Sequence, residues 1–379
     1  MTDEMDDLDD LLDNLSEDEE ENTKNKSFED KVLIIGDPHF KHNKILQGKE
    51  FAECCISYEN DLKKDLDFTV LLGDILDTHE IVRTQPFNLA CEFIKKLAKI
   101  KPIFVLIGNH DYINNSQFLT DKHPFNTLKA YKNVYIVDKP LLYTSENGNK
   151  YLFCPYTPNG RLLEALETVG FSRIKNKLTC CFGHQEIKGC KMGACISDTG
   201  DVWDPKNPIL ISGHIHDQQR LAHNMWYPGV PIQHSFSDSS DKGVWLVEFN
   251  HRVLVKETQT NLGIKNKKII YLSIKNIDDF DSSILQDFTV KLNLKGTTEE
   301  IEVFKKNKQF TKLKQMGLLF SYTPTNMVKY KDLDSAEEIE NRTYNQVFKE
   351  LIDESNDSIK SVYDDIFNAS EVYELVFKK

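Results

Sequence analysis

Five short apolar runs in this chain end in the same way, and that repetition constrains the fold more than any composition figure. Residues 32–35 (VLII) stop at Gly36 and lead to Asp37 and His39. Residues 69–72 lead to Gly73-Asp74-x-x-Asp77, and residues 103–107 to Gly108-Asn109-His110-Asp111. Residues 178–182 lead to Gly183-His184, and residues 209–212 to Gly213-His214-x-His216. As a group these runs have the length and apolar continuity of buried strands. Buried strands that share a sheet end on a common edge, and ligands bind off the carboxyl ends of such strands. The pattern therefore predicts one cleft holding Asp37, His39, Asp74, Asn109, His110, His184, His214 and His216. Asp and His are unfavourable beside buried strands unless paired or metal-bound. Mixed nitrogen and oxygen donors suit Mn, Fe or Zn better than Ca, which prefers all-oxygen sites.

The rest of the chain reads as α/β. Helices are expected over 43–64 and 86–100, the second with Phe87, Ala90, Phe93, Ile94 and Leu97 along one face. Strands are expected at 134–137, 151–156, 178–182, 209–212, 244–249 and 253–257. The predicted body, residues 28–258, is two packed β-sheets flanked by helices. A small α/β cap domain follows over 259–331, then an acidic segment over 332–379 with the spacing of amphipathic helices. Residues 1–27 read as a disordered acidic tail.

Charge follows the same divisions. The net charge is −13, but the first 22 residues carry twelve acids and no base. Residues 251–331 hold fifteen bases against eight acids. A basic segment of that kind can hold a phosphate backbone. The eight cysteines form no C-x-x-C pair and read as reduced thiols of an intracellular protein. No apolar run is long enough to span a bilayer, so no membrane partner is expected.

The five motifs resemble those of the calcineurin-like metallophosphoesterases, in that family's order across about half of the chain. Within the family the chain looks most like the SbcD-type nuclease subunit of recombination and repair complexes, including phage and large-virus versions. That narrower likeness rests on the stretch 227–249, the cap and the helical tail. The resemblance implies two divalent metal ions, Mn first, with Fe, Zn or Mg as alternatives. Asp37, His39, Asp74 and His216 would hold one ion. Asp74, Asn109, His184 and His214 would hold the other, with Asp74 bridging. A metal-bridging hydroxide would attack phosphorus, and His110 would protonate the leaving oxygen. The Asp77 carboxylate would orient His110, with Asp111 supporting the ligands from behind. His42, His123, His223, His234 and His251 read as ordinary polar residues.

The metal motifs indicate a phosphoester and go no further. Protein phosphatases of this superfamily place Arg-Gly after the second motif's final Asp. Here Thr78-His79 follows, and DNA becomes the expected substrate. Lys265, Lys267, Lys268 and Gln233 are the expected substrate contacts. By resemblance the partners are DNA, an SMC-like ATPase on the C-terminal helices, and a second copy in a homodimer. The alternatives are a stand-alone phosphodiesterase of small or cyclic nucleotides, and a non-catalytic scaffold.

Overall fold

The computed structural model describes residues 28–193 and 195–325, and beyond them only 342–343, 352–353 and 360. The expected acidic tail over 1–27 lies outside the described residues, as does nearly all of the segment 332–379.

In chain order the body begins with β1 (Glu29–Ile35), α1 (Ile45–Leu62), β2 (Phe68–Leu71), α2 (Thr84–Leu97), β3 (Ile103–Leu106) and β4 (Val134–Val137). It continues with β5 (Leu141–Thr144), β6 (Lys150–Phe153), α3 (Leu162–Glu167), α4 (Phe171–Ile174) and β7 (Cys180–His184). Then come β8 (Lys191–Met192), β9 (Cys195–Ile196), β10 (Ile209–Gly213), β11 (Gln219–Ala222) and β12 (Met225–Tyr227). The last two strands of the body are β13 (Val244–Asn250) and β14 (Val253–Thr260).

Two six-stranded sheets result, ordered β14-β13-β1-β2-β3-β4 and β11-β12-β10-β7-β6-β5. In the first, β1 to β4 are parallel neighbours and β13 joins β1 antiparallel. In the second, β6, β7, β10 and β12 run parallel. The sheets pack face to face through Val32, Ile34, Phe68, Phe104, Phe153, Phe182 and Trp226. Phe153 stacks on Phe104 with ring centres 4.1 Å apart, and on Phe182 at 5.2 Å. The opposite face of β1, Leu33 and Ile35, packs with Phe51 and Phe93 of α1 and α2. Both faces of β1 are thus covered, which is why its apolar run has no alternation. On the outer side of the second sheet, Leu152 and Leu210 pack with Leu162, Leu166 and Phe171 of α3 and α4. The layers run helix, sheet, sheet, helix, and the expected fold class holds.

The five motif strands do not share one sheet. β1, β2 and β3 lie in the first, and β7 and β10 in the second. Their loops still meet, because the two sheets are stacked and their motif ends interlock. The His214 backbone N–H donates to Asp37 Oδ2 at 2.8 Å, and His184 Nδ1 donates to the Leu72 carbonyl at 2.7 Å.

Beyond the body lie β15 (Asn266–Ser273), β16 (Phe288–Gly296), α5 (Thr298–Lys305), α6 (Lys308–Gln315) and β17 (Leu319–Pro324). The three strands form a separate parallel sheet, and Val290, Leu292 and Leu294 pack with Ile301, Phe304 and Leu313 of its helices. A capping box between Thr297 and Glu300 starts α5. All eight cysteines are free thiols. Among the described residues no helix is long and apolar enough to cross a membrane.

Candidate metal centre

The loops that carry the motif residues are locked to one another by backbone and carboxylate hydrogen bonds. His39 N–H donates to the Asp74 carbonyl at 3.0 Å, and Phe40 N–H to that of Ile75 at 2.9 Å. The buried Asp111 carboxylate accepts from the backbone N–H groups of Leu76, Gly108 and Ile75 at 2.9, 3.0 and 3.2 Å. It therefore ties the loop after β2 to the loop after β3. His39, Asp74 and His214 have φ of 42°, 47° and 80°. Non-glycine residues seldom adopt this left-handed region. Such strain persists where the surroundings over-determine it, and it clusters at functional sites.

Two groups of ligand atoms face each other across this junction. Asp37, His39 and His216 form one, and Asp74, His184 and His214 the other, with the atoms of each group within 4.8 Å of one another. In the first, the Nε2 atoms of His39 and His216 are 3.1 Å apart. In the second, Asn109 Oδ1 lies 3.0 Å from both His184 Nε2 and His214 Nδ1. Asp74 stands between the groups, with Oδ2 at 3.6 Å from His39 Nε2 and Oδ1 at 3.4 Å from His184 Nε2. His184 Nδ1 faces a carbonyl, so it keeps its proton and Nε2 is the nitrogen left to bind a metal. A carbonyl partner of this kind fixes the tautomer of a metal-ligating histidine.

The electrostatics match a site built for cations. Burial pushes the Asp37 carboxyl up to about 8 against the pull of His184, and the charge of Asp74 adds to the rise. For Asp74 burial works upward too, but His184, His39 and His110 hold it below the usual carboxylate range. Burial presses His39 and His216 below the usual imidazole value, and brings His214 down to about 4. His184 alone rises, to about 9, because Asp74 and Asp37 overcome the effect of its burial. Neutral imidazoles and carboxylates are the forms that metals bind. His39, His214, His216 and Asp74 are held in those forms, whereas Asp37 and His184 would release a proton to a binding cation. Among the described residues Asp37 Oδ1 and His39 Nδ1 are buried without a hydrogen-bond partner. Electron-rich atoms crowded at 3.0–3.4 Å, with a buried carboxylate oxygen unpaired, fit a pair of divalent ions.

His110 sits at the edge of this arrangement. Its Nδ1 donates to the Asp77 carbonyl at 3.0 Å, and its Nε2 lies 4.0 Å from Asp74 Oδ2. The orienting group is thus the backbone of Asp77 and not its carboxylate, which corrects the expected role. That carboxylate pairs with Lys41 Nζ at 2.6 Å and faces His39 Nδ1 at 3.7 Å. The lysine takes it because residues 41 and 77 follow the first two motifs on adjacent loops.

Of the expected substrate contacts, Gln233 and Lys267 are committed to joining the cap to the body. Gln233 is buried, its Oε1 accepts from Lys267 N–H, and its Nε2 donates to the Asp238 carbonyl at 2.8 Å. Lys267 Nζ donates to Gln47 Oε1 at 3.1 Å and to the Gln233 carbonyl. Lys265 and Lys268 are exposed, the first against the Leu285 carbonyl and the second over the Phe288 ring.

Sequence reasoning gave His234 and Lys41 no role at the centre and read His79 as a surface residue that could reach the cleft rim. His234 is buried, donates from Nε2 to the Asp37 carbonyl at 3.0 Å, and has its ring centre 5.1 Å from that of His39. His79 stacks on His110 with ring centres 4.6 Å apart. Lys41 pairs with Asp77 as described. The available signal for His234 was its place beside the Gly-Pro loop that follows the last motif.

Residues 30–218 match the family of calcineurin-like phosphoesterases. Over 287 residues the chain is 42% identical to a protein of Invertebrate iridescent virus 6 named as an inferred phosphoesterase, 244L. That alignment covers 73% of this chain and 98% of the relative. A second inferred phosphoesterase, 078R of Invertebrate iridescent virus 3, is 36% identical over 311 residues, covering 80% and 87%. The chain belongs to the calcineurin-like phosphoesterase family. That family uses divalent metals to hydrolyse phosphoesters, and the two groups of ligand atoms stand where its motifs lie.

Proposed function

We propose that this chain is a two-metal-dependent nuclease that hydrolyses phosphodiester bonds of DNA in repair or recombination, with Mn as its metal. The observation that carries the reading is the pair of ligand groups with Asp74 between them. Asp37, His39, Asp74 and His216 would hold one ion, and Asp74, Asn109, His184 and His214 the other. When bound, such a pair supplies positive charge against the phosphoryl oxygens and lowers the pKa of water so that it attacks near neutral pH.

The chain's own groups do the rest. Asp74 turns Oδ2 towards His39 and Oδ1 towards His184, so its carboxylate would help hold both ions. Asn109 adds a neutral oxygen, which leaves the centre positive enough for an anionic substrate. His110 is fixed by its Nδ1–H bond to the Asp77 carbonyl. Its Nε2 is thereby turned towards the cleft to deliver a proton to the leaving oxygen. His79, stacked on that ring, limits its rotation.

DNA is favoured by the absence of Arg after Asp77 and by the basic cap, of which Lys265 and Lys268 remain exposed. The reading extends to a homodimer and to an SMC-like ATPase docked on residues 332–379, whose apolar residues recur at helical spacing. Labelled single- and double-stranded DNA incubated with the purified chain tests the core claim. Cutting is expected with Mn and not with chelator. His110→Ala should lower kcat by about 10²–10⁴-fold while still binding two Mn ions. His216→Ala should lose one of them. DNA left intact by a protein that cuts bis(p-nitrophenyl) phosphate would sink the DNA assignment.

A further inference from the structure

A cleft of about 240 Å³ opens beside the candidate centre, lined among others by Lys41, Asp77, Ile81, Arg83 and Pro86. Its walls come from the loops that carry His39 and Asp77, so it shares a side with the metal-ligand groups. The buried residues Phe40, Leu76 and Pro86 give it an apolar floor. Ile81 stands at the rim, 61% exposed. His42 and Asn43 supply a polar edge. Arg83 is exposed, and among the described residues its guanidinium enters no hydrogen bond or ion pair. Lys41, by contrast, is paired with Asp77. An apolar floor, a polar edge and one uncommitted guanidinium therefore lie one side chain away from His39, across Asp77.

We propose that this cleft holds the nucleoside next to the scissile phosphate, with Arg83 on the adjoining phosphate. The assignment rests on the phosphoesterase reading of the centre. A nucleobase has apolar faces and a polar rim, which matches a floor of Phe40, Leu76 and Pro86 edged by His42 and Asn43. Guanidinium groups grip phosphate through two parallel N–H bonds. The cleft is smaller than the roughly 300–1,000 Å³ typical of drug-sized sites. It has room for one nucleoside, and a base seated in it cannot at the same time be paired. The substrate class that follows is a single-stranded or frayed end, or a mononucleotide ester, and not an internal base pair.

The test uses the full chain with Mn, thymidine 5′-monophosphate as the binding probe, and two esters with the same leaving group. One ester is thymidine 5′-(p-nitrophenyl phosphate) and the other is methyl p-nitrophenyl phosphate. The wild type should bind thymidine monophosphate and prefer the nucleoside ester. Arg83→Ala and Ile81→Asp should each weaken that binding about tenfold and lower the ratio of kcat/KM on the two esters by a similar factor. Arg83→Lys should recover part of the loss. Wild-type protein that does not bind thymidine monophosphate overturns the proposal. So does an equal loss on both esters, or no loss on either. DNA left uncut while both esters are hydrolysed overturns the nuclease reading instead, and leaves the cleft to be judged on the ester ratio.

Discussion

Gly108 shows how little room the centre leaves around Asp74. A Cβ at that position would overlap both the Asp74 backbone nitrogen and Asp74 Oδ1. Gly213 is placed alike, its would-be Cβ running into Asp37 Oδ1. No side-chain rotation relieves the clash at Gly108, because one of the two atoms is backbone. Gly108→Ala must therefore move Asp74, the residue that stands between the two ligand groups. Displacing a residue that positions metal ligands typically weakens metal binding by about 10–100-fold. Calorimetric titration of Gly108→Ala with Mn is expected to show a loss in that range while circular dichroism keeps the wild-type form. Wild-type Mn affinity in this variant would mean that Asp74 does not bridge. The repeated Gly-Asp and Gly-His endings were legible in the sequence because they encode this crowding directly. His234 was not, since its only local mark is the Gly-Pro loop beside it; it reaches Asp37 from nearly two hundred residues away.

The packing of α1 on β2 encloses a buried carboxyl that helical spacing alone conceals. Glu59 lies in α1 and is fully buried, with Oε1 accepting from the Thr69 hydroxyl of β2 and Oε2 without a partner. Burial raises its carboxyl from 4.5 to about 8, and the Thr69 hydroxyl and the charge of Lys101 only partly oppose this. The folded state therefore keeps a proton that the unfolded chain has already released over that interval. Stability must fall as pH rises through the window from 4.5 to about 8 and level off above it. The slope from this one group is about 1 kcal/mol per pH unit. Glu59→Gln removes the ionisation, so its melting temperature should match wild type near pH 4.5 and exceed it increasingly up to pH 8. Parallel melting curves for the two proteins across that range would exclude Glu59 as a source of the pH dependence. The long helices were readable from their apolar faces, and β4 from its run of apolar residues. β5, β11, β12 and the helices α3 and α4 were not read. They are three to six residues long, too short to establish a period against mixed composition. The division of the motif strands between two sheets also escaped, because a shared strand ending looks the same in one sheet as in two facing ones.

The whole molecule sets a basic cap against a body that holds the catalytic residues. The basic composition of 251–331 was visible in the sequence, but the clasp between Gln233 and Lys267 was not. It joins residues 34 positions apart through side chains that composition cannot distinguish from substrate contacts. With that clasp occupied, the proposed DNA strand would have to use other cations of the cap. Lys306, Lys308 and Lys312 are exposed and take part in no ion pair among the described residues, whereas Lys305 is paired with Glu302. None of the three belongs to the apolar core that Val290, Leu292 and Leu294 form with α5 and α6. Their replacement therefore removes charge with little effect on folding. For a single strand, each phosphate that a lysine no longer neutralises should reduce the slope of log affinity against log salt by about 0.7. The triple variant Lys306→Gln, Lys308→Gln, Lys312→Gln is expected to bind single-stranded DNA more weakly at low salt and with a flatter salt dependence. It should hydrolyse methyl p-nitrophenyl phosphate as wild type does, since the metal-ligand residues are untouched. An unchanged slope would place the DNA path on the body, along the cleft of Arg83, and leave the cap lysines as a solvated face.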